Sequence, residues 1–165
     1  MKQFDEMRRF AQMLAPLSDA QATIELIAQE AKNLVNADKC LVFMVDEEDS
    51  ILLTKLNDGS GRVIIALDTG IVGYSYVSKE AQILNNPYED PRFLKTIDEQ
   101  SGYVTKNTLC VPIFNSKQNV MGILQLLNKT RSDFDQRDLE TMSFFAHFIS
   151  GSLELCMLEN AQTLS

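Results

Sequence analysis

The sequence of 165 residues holds a single histidine, His147. A Ser-His-Asp relay, a His-ligated metal site or a haem proximal ligand would each hang on that residue with no visible partner, and it stands beside Phe145 and Phe148 in a terminal helical pattern. Cysteine is nearly as sparse. Cys40, Cys110 and Cys156 are odd in number, widely spaced and set among apolar residues, which fits reduced core thiols better than a disulfide framework or a zinc site. Positive charge is short as well: 15 Lys and Arg against 23 Asp and Glu give a formal charge of -8. With no basic patch, a nucleic-acid partner is not expected. No run approaches the roughly 18 apolar residues of a membrane span, and the amino terminus, MKQFDEMRRFAQ, lacks the apolar core of a secretion signal. A cytoplasmic location without a membrane partner is therefore expected. The acids offer no pair marked out by an apolar setting, as a glycosidase would need. No catalytic residue and no metal site can be named, and an enzyme is not expected.

What is present is enough for one good core: 45% of the residues are hydrophobic, and the length suits one domain. Residues 1–14 have helical composition that stops at Pro16. Ser18 with Gln21 three residues on is a capping-box start, and the following helix places Ile24, Ile27, Ala28, Ala31, Leu34 and Val35 on one face. Strands are expected at 39–45, 51–56 and 62–67, separated by an acidic turn at 46–50 and a polar loop at 57–61. Residues 68–105 are rich in Gly, Pro, Asn and Asp, with short helical pieces expected at 71–78 and 91–97. Such a segment is either a surface excursion or a lid over a binding site.

A final helix is expected over 135–161. Leu139, Met142, Ala146, Ile149, Leu153 and Cys156 form one stripe with a and d spacing, and Phe145, Phe148, Leu155 and Leu158 form a second. One face can pack on the sheet while another meets a partner helix, although plain core packing accounts for the same pattern. Together with residues 1–17, this helix suggests a homodimer seam or a connector to a signalling output domain. The expected division is a connector or dimer helix at 1–17 and a single domain at 18–161, with 135–161 as its last helix. Strands around helices in this order imply an α+β domain with a central antiparallel sheet, terminal helices on one face and the middle segment on the other.

The most telling stretch is 101–129, SGYVTKNTLCVPIFNSKQNVMGILQLLNK. Two strand patterns, 108–114 and 120–127, flank the polar turn Asn115-Ser116-Lys117-Gln118-Asn119 and predict a hairpin. The second strand is apolar at Val120, Met121, Ile123, Leu124, Leu126 and Leu127, so neither face looks solvated. Gln125 interrupts it. A buried amide without a partner costs roughly 1 to 3 kcal/mol, so Gln125 must bond to backbone, to water, or to something entering a cavity.

The pattern T-x-N-x-L-C-x-P-I, a short polar turn and G-x-x-x-L-x-N-K resembles the GAF domains of cyclic-nucleotide phosphodiesterases and related adenylyl cyclases. It is carried by Thr105, Asn107, Leu109, Cys110, Pro112, Ile113, Gly122, Leu126, Asn128 and Lys129. Upstream the likeness takes in Ala37-Asp38-Lys39-Cys40, Asp46, Gly70-Ile71-Val72-Gly73, Ile83-Leu84-Asn85, Pro91 and Phe93, and it spans roughly residues 20 to 160. It implies a GAF-like antiparallel sheet with a ligand between the sheet and the middle segment. A signature of Asn-Lys, Phe and Asp-Glu in the relatives ties the last strand to the final helix; Asn128, Lys129, Phe134 and Asp138 match it, while Leu139 stands in place of the Glu.

For the ligand, cAMP or cGMP, the resemblance implies a phosphate held at a helix start formed by Gly70, Ile71, Val72 and Gly73, where free amides and the helix dipole accept an anion. It implies base and ribose contacts from Asp58, Asp98, Ser101, Thr105 and Gln125. Asp98, Ser101 and Thr105 are spaced by three and four and would share one side of a helix if the segment is helical there. Leu94 replaces an aromatic, Leu41 replaces a small hydroxyl residue, 84–91 is about two residues short, and Gln125 replaces a carboxylate. An amide both donates and accepts, so it could meet adenine or guanine, with a lean to cAMP. A sulfoxide reductase on this fold would need cysteines in the cavity, and a bilin carrier would need an attachment Cys beside a His. The alternative is a ligand-free dimerisation scaffold.

Overall fold

The computed structural model describes residues 2–14, 20–55 and 62–164. Asp58 and its loop, Pro16, and the Ser18 cap lie outside the described residues. Six strands make one antiparallel sheet in the order β3-β2-β1-β6-β5-β4. They are β1 (Ala37–Asp46), β2 (Ile51–Lys55), β3 (Arg62–Ala66), β4 (Gln82–Leu84), β5 (Thr108–Phe114) and β6 (Val120–Lys129). The helices are α1 (Lys2–Leu14), α2 (Ala20–Val35), α3 (Gly70–Ser78), α4 (Lys95–Ser101) and α5 (Gln136–Leu164), with a single 3-10 turn at Pro87–Glu89.

The β5–β6 hairpin forms because Asn115 can fold the turn on its own side chain. Its Oδ1 accepts the amides of Lys117 and Asn119, each at 3.0 Å, while Gln118 takes a left-handed φ of 66°. Long central strands then alternate sides. Val42, Leu109, Val111, Ile113, Leu124 and Leu126 join a cluster with Ile27, Ala31, Met142, Phe145, Ile149 and Leu153. Their neighbours Phe43, Cys110 and Ile123 join a second cluster with Leu52, Ile65, Ile71, Val72, Leu84 and Phe93. The period of two thus divides one sheet between two cores, with α1, α2 and α5 on one face and α3, α4 and their connections on the other.

Several expectations need correction. The helix expected at 91–97 is displaced to Lys95–Ser101, because the Asp90 carboxylate takes the Arg92 amide at 2.9 Å and the Phe93 amide bonds Asp90 O at 3.1 Å, forming a turn over its first residues. Helix α4 starts four residues later than expected. Strand β4, only three residues long, pairs with β5 through Gln82 and Cys110, Ile83 and Leu109, and Leu84 and Thr108; it was not foreseen. On α5, Phe145 belongs to the core face and is fully buried, with its ring 5.6 Å from that of Phe10 on α1. The outward face instead carries Phe144, Leu155 and Leu158, each at least half exposed. By length and composition the Gln136–Leu158 stretch of α5 could cross a membrane, which a count of uninterrupted apolar residues did not show. Here Met142, Phe145, Ile149 and Leu153 pack into the domain core.

Candidate functional site

Gln125 sits near the middle of β6, paired with Leu41 on β1 and Cys110 on β5. Its parity with Ile123 points it to the face covered by α3 and α4. The residue is 7% exposed, and among the described residues no hydrogen-bond partner reaches its amide. Yet no side-chain polar atom among them is both shut off from solvent and unpaired, so the amide opens into space on that face. Thr108, on the same side, is settled by comparison: its hydroxyl donates to Leu126 O at 2.8 Å.

The start of α3 lies over this face. Gly70 adopts a φ of 72°, a left-handed conformation that a side chain would strain. The Gly73 amide donates to Thr69 O at 3.1 Å. That removes one of the four expected anion donors, and among the described residues the amides of Gly70, Ile71 and Val72 have no backbone acceptor. Glycine at 73 has a packing reason of its own, since a Cβ there would meet the Asp68 carbonyl carbon at 2.7 Å. Leu94 is packed against Gly70, its Cβ 3.2 Å from where a Gly70 Cβ would be. Arg92 fastens this region by pairing with Asp90 at 2.9 Å and lying 4.7 Å from the Tyr74 ring centre.

Asp98, Ser101 and Thr105 do not share a helical face. Gly102, at φ 76°, ends α4 and leaves Thr105 in extended chain. The structure nonetheless brings Asp98 and Thr105 together: Asp98 Oδ2 accepts the Thr105 amide at 2.7 Å, and Oδ1 accepts the Thr105 hydroxyl at 2.9 Å. Tyr88 adds its hydroxyl to Asp98 Oδ2 at 2.5 Å, and that bond raises the phenol pKa. The carboxylate is thereby a buried clamp that closes α4 onto both flanking segments. Ser101 is exposed and turns back on its own helix end, donating to Asp98 O at 3.4 Å and accepting the Tyr103 amide.

The end of β6 is a second polar knot. Asn128, at φ 58°, accepts the Lys106 amide at 2.6 Å and the Asn107 amide at 3.3 Å, and donates to Val104 O at 2.8 Å. Asn107 returns the contact by accepting the Lys129 amide at 2.8 Å. Lys129 Nζ lies 2.6 Å from Asp138 Oδ2, with both side chains mostly buried. Asp138 also caps α5 reciprocally with Asp135: each backbone amide donates to the other's carboxylate, at 3.0 and 2.9 Å. The amide of Asp138 is the main cause of the lowered Asp135 pKa. Buried Phe134 is gripped at its backbone by Asn85, which donates to its carbonyl and accepts from its amide, both at 3.1 Å. Tyr103 closes the knot by donating to Asp38 at 2.7 Å; burial first, then that bond, raises its pKa.

Two of these groupings escaped the sequence reading. Asn85 and Asn107 lie in the matched motifs but carried no assigned role, and the Tyr88–Asp98 contact joins residues ten apart across a 3-10 turn, which no periodicity announces.

A sequence profile of the GAF domain matches residues 19–153. The chain belongs to the GAF domain family. GAF domains are sensory and regulatory modules that generally bind small molecules. A probable 3',5'-cyclic phosphodiesterase, pde-5 of Caenorhabditis elegans, is 30% identical to this GAF domain over 139 residues, covering 76% of the chain and 19% of that protein. The chain therefore spans about a fifth of that relative's length. The GAF domain of an Acinetobacter phosphoenolpyruvate-protein phosphotransferase superposes with a TM-score of 0.81 at 20% identity, covering 98% of both chains. Free methionine-R-sulfoxide reductase from Neisseria meningitidis superposes with a TM-score of 0.75 at 13% identity, covering 94% of this chain and 90% of its own. These two likenesses establish the fold. Cys110 lies on the Gln125 side of the sheet, fully buried, where burial pushes its thiol up to about 12. Cys40 packs against the helix-face cluster, and burial likewise pushes its thiol up to about 12.

Proposed function

We propose that this GAF domain is a regulatory module that binds a cyclic nucleotide, cAMP or cGMP, between the sheet and residues 68–107 and signals occupancy through its terminal helices to a cytoplasmic output domain or partner. The observation that carries the reading is the Gln125 amide, centrally placed and unpartnered among the described residues on the face that α3 and α4 cover. An amide can match a purine edge by donating and accepting, which favours cAMP because the amide N–H can donate to an adenine ring nitrogen while its oxygen accepts from the N6 amino group, a pairing closed to a carboxylate. The amides of Gly70, Ile71 and Val72 are the phosphate donors in this reading, and Leu94 must yield for close approach. Asp98 and Thr105 serve the site by holding its cover shut, Asp58 adds a contact, and Ser101 joins the set only by turning away from its own helix end. In this reading the module binds rather than catalyses, and burial, which pushes the Cys110 thiol on the ligand side up to about 12, supports it by disfavouring a reactive thiolate there. The phosphodiesterase relationship supports the choice of ligand class.

The test is thermal unfolding with cAMP, cGMP and a linear nucleotide. A ligand at about a hundred times its dissociation constant adds roughly 2.7 kcal/mol, on the order of 5 to 10 °C here. Stabilisation by one cyclic nucleotide, lost in Gln125→Leu, is the expected result; no shift at millimolar ligand rejects the reading.

A separate observation favours the scaffold alternative. Phe144, Leu155 and Leu158 are exposed apolar residues on one side of α5, and Phe144 shares a groove with exposed Phe4 of α1. In this second reading α1 and α5 pair with a second copy and no ligand is required. Sedimentation of Phe144→Glu and Leu155→Glu tests it: dimers that persist in both variants reject the seam.

A further inference from the structure

The covering segment is anchored at both ends to one place, the junction between β6 and α5. At its start, Asn85 grips the backbone of Phe134 through two hydrogen bonds of 3.1 Å, one residue before the Asp135 cap of α5. At its end, Thr105 is clamped by Asp98, and the next two amides, Lys106 and Asn107, both donate to Asn128. Asn107 then reaches across the junction, accepting from the Lys129 amide at 2.8 Å and donating to Ser132 O at 3.4 Å. From Lys129 the chain of contacts passes directly to Asp138 in the first turn of α5. Two independent routes, one from each end of the cover, therefore converge on residues 128–138.

We infer that the β6–α5 junction is the transmission element of this domain, turning movement of residues 85–107 into a change in the first turn of α5. The inference deepens the proposed sensing function and rests on it for its biological meaning, although the mechanical coupling itself needs no ligand. Phe93, Leu94 and Ile97 pack the cover on the sheet, but its far end is held by a carboxylate with three donors. Such a segment opens locally at less cost than the helix face does. A hydrogen bond is directional, so displacing Asn85 or residues 105–107 costs the bonds to Phe134 and Asn128 unless the junction follows. Asn128 and Arg131, at φ 58° and 73°, hold the junction in left-handed backbone that packing alone would not select. A change at one site felt at another is a coupling free energy, and it is demonstrated by breaking the link and not by tracing it.

Amide hydrogen exchange on the full chain tests this. Asp98→Asn keeps the shape of the clamp and removes its charge, loosening the cover without any ligand. Exchange is expected to accelerate about tenfold, the scale set by a weakened bond to a charged group, both in 95–107 and at the amides of Asp138 and Leu139. In an Asn85→Ala, Asn107→Ala, Asn128→Gly background, which also removes the acceptor of the Lys106 and Asn107 amides, the first response is expected to remain and the second to be largely lost. Should that background fail to fold, Asn85→Ala alone removes one of the two routes and is expected to reduce the α5 response. A response to Asp98→Asn confined to 95–107, or absent, overturns the inference, as does an α5 response that survives undiminished the loss of all three asparagines. Millimolar cAMP added to the unmodified chain is expected to slow exchange in both segments. No effect of cAMP alongside a positive Asp98→Asn result would reject the ligand and keep the coupling.

Discussion

The two faces of the sheet are built from alternate residues of the same strands, yet they solve different problems. On the helix face, Val42, Leu109, Val111, Leu124 and Leu126 meet Ile27, Met142, Phe145 and Leu153 in an apolar core that leaves nothing for a ligand to do. On the other face, a second apolar cluster that takes in Phe43, Ile71, Val72, Phe93 and Ile123 is interrupted by Thr108 and Gln125, and the cover above them is fastened as well by polar clamps at Asp98 and Arg92. Hydrophobic burial is non-directional and tolerates no gap, whereas polar clamps open and reclose without loss of the fold. The contrast teaches where stability is stored and where responsiveness is possible.

That contrast can be broken most forcefully at Phe145. Its truncation to Ala in the dry core is expected to cost about 3 to 5 kcal/mol in urea unfolding. Lys129→Ala comes next, at about 3 kcal/mol, because it leaves the mostly buried Asp138 carboxylate without its cation. Gly73→Ala would force a methyl against the Asp68 backbone and should lose about 1 to 3 kcal/mol by the same assay; an unchanged midpoint would mean the 67–68 turn gives way.

A smaller effect is expected in alkali. Burial raises the Cys40 and Cys110 thiols from 9.0 in the unfolded chain to about 12 in the fold. The folded state thus disfavours the thiolate: stability is intact below pH 9 and declines as pH rises toward 12. Cys110→Ala should flatten that decline in pH-dependent unfolding. The smallest effect on stability belongs to Gln125→Leu, expected to stay within about 0.5 kcal/mol of the parent because no bond to the described residues is lost. If it instead destabilised the domain as Phe145→Ala does, the two faces would be alike after all.

Much of this arrangement was legible in the sequence. The hairpin at 108–114 and 120–127 announced itself through period and turn chemistry, and the α2 face followed from its apolar spacing. The oddity of Gln125 was visible because one polar residue in an apolar strand demands an explanation, and its parity with Ile123 fixes its side. What stayed hidden depends on contacts between short elements. Spacing by three and four suggested one helical face for Asp98, Ser101 and Thr105, but Gly102 ends the helix first and a side-chain clamp joins two of them instead. Strand β4 is too short to show a period, and Pro87–Glu89 and Asp90 build turns whose geometry comes from side-chain capping. Phe145 was placed on the wrong stripe of α5 because both stripes are apolar and only the packing of Phe10 separates them.

The brevity of β4 has a consequence for the health of the protein in a crowded cell. Its pairing with β5 stops at Cys110, two residues short of Pro112, so among the described residues no strand pairs with the outer edge of β5 from there on. An open edge invites a strand from another molecule to continue the sheet, which is how ordered aggregates begin. Proline has no amide hydrogen to offer such a strand, and placed at this position it makes the unpaired edge a poor template. A residue that reads as part of the family pattern thereby guards the domain against its own capacity to polymerise.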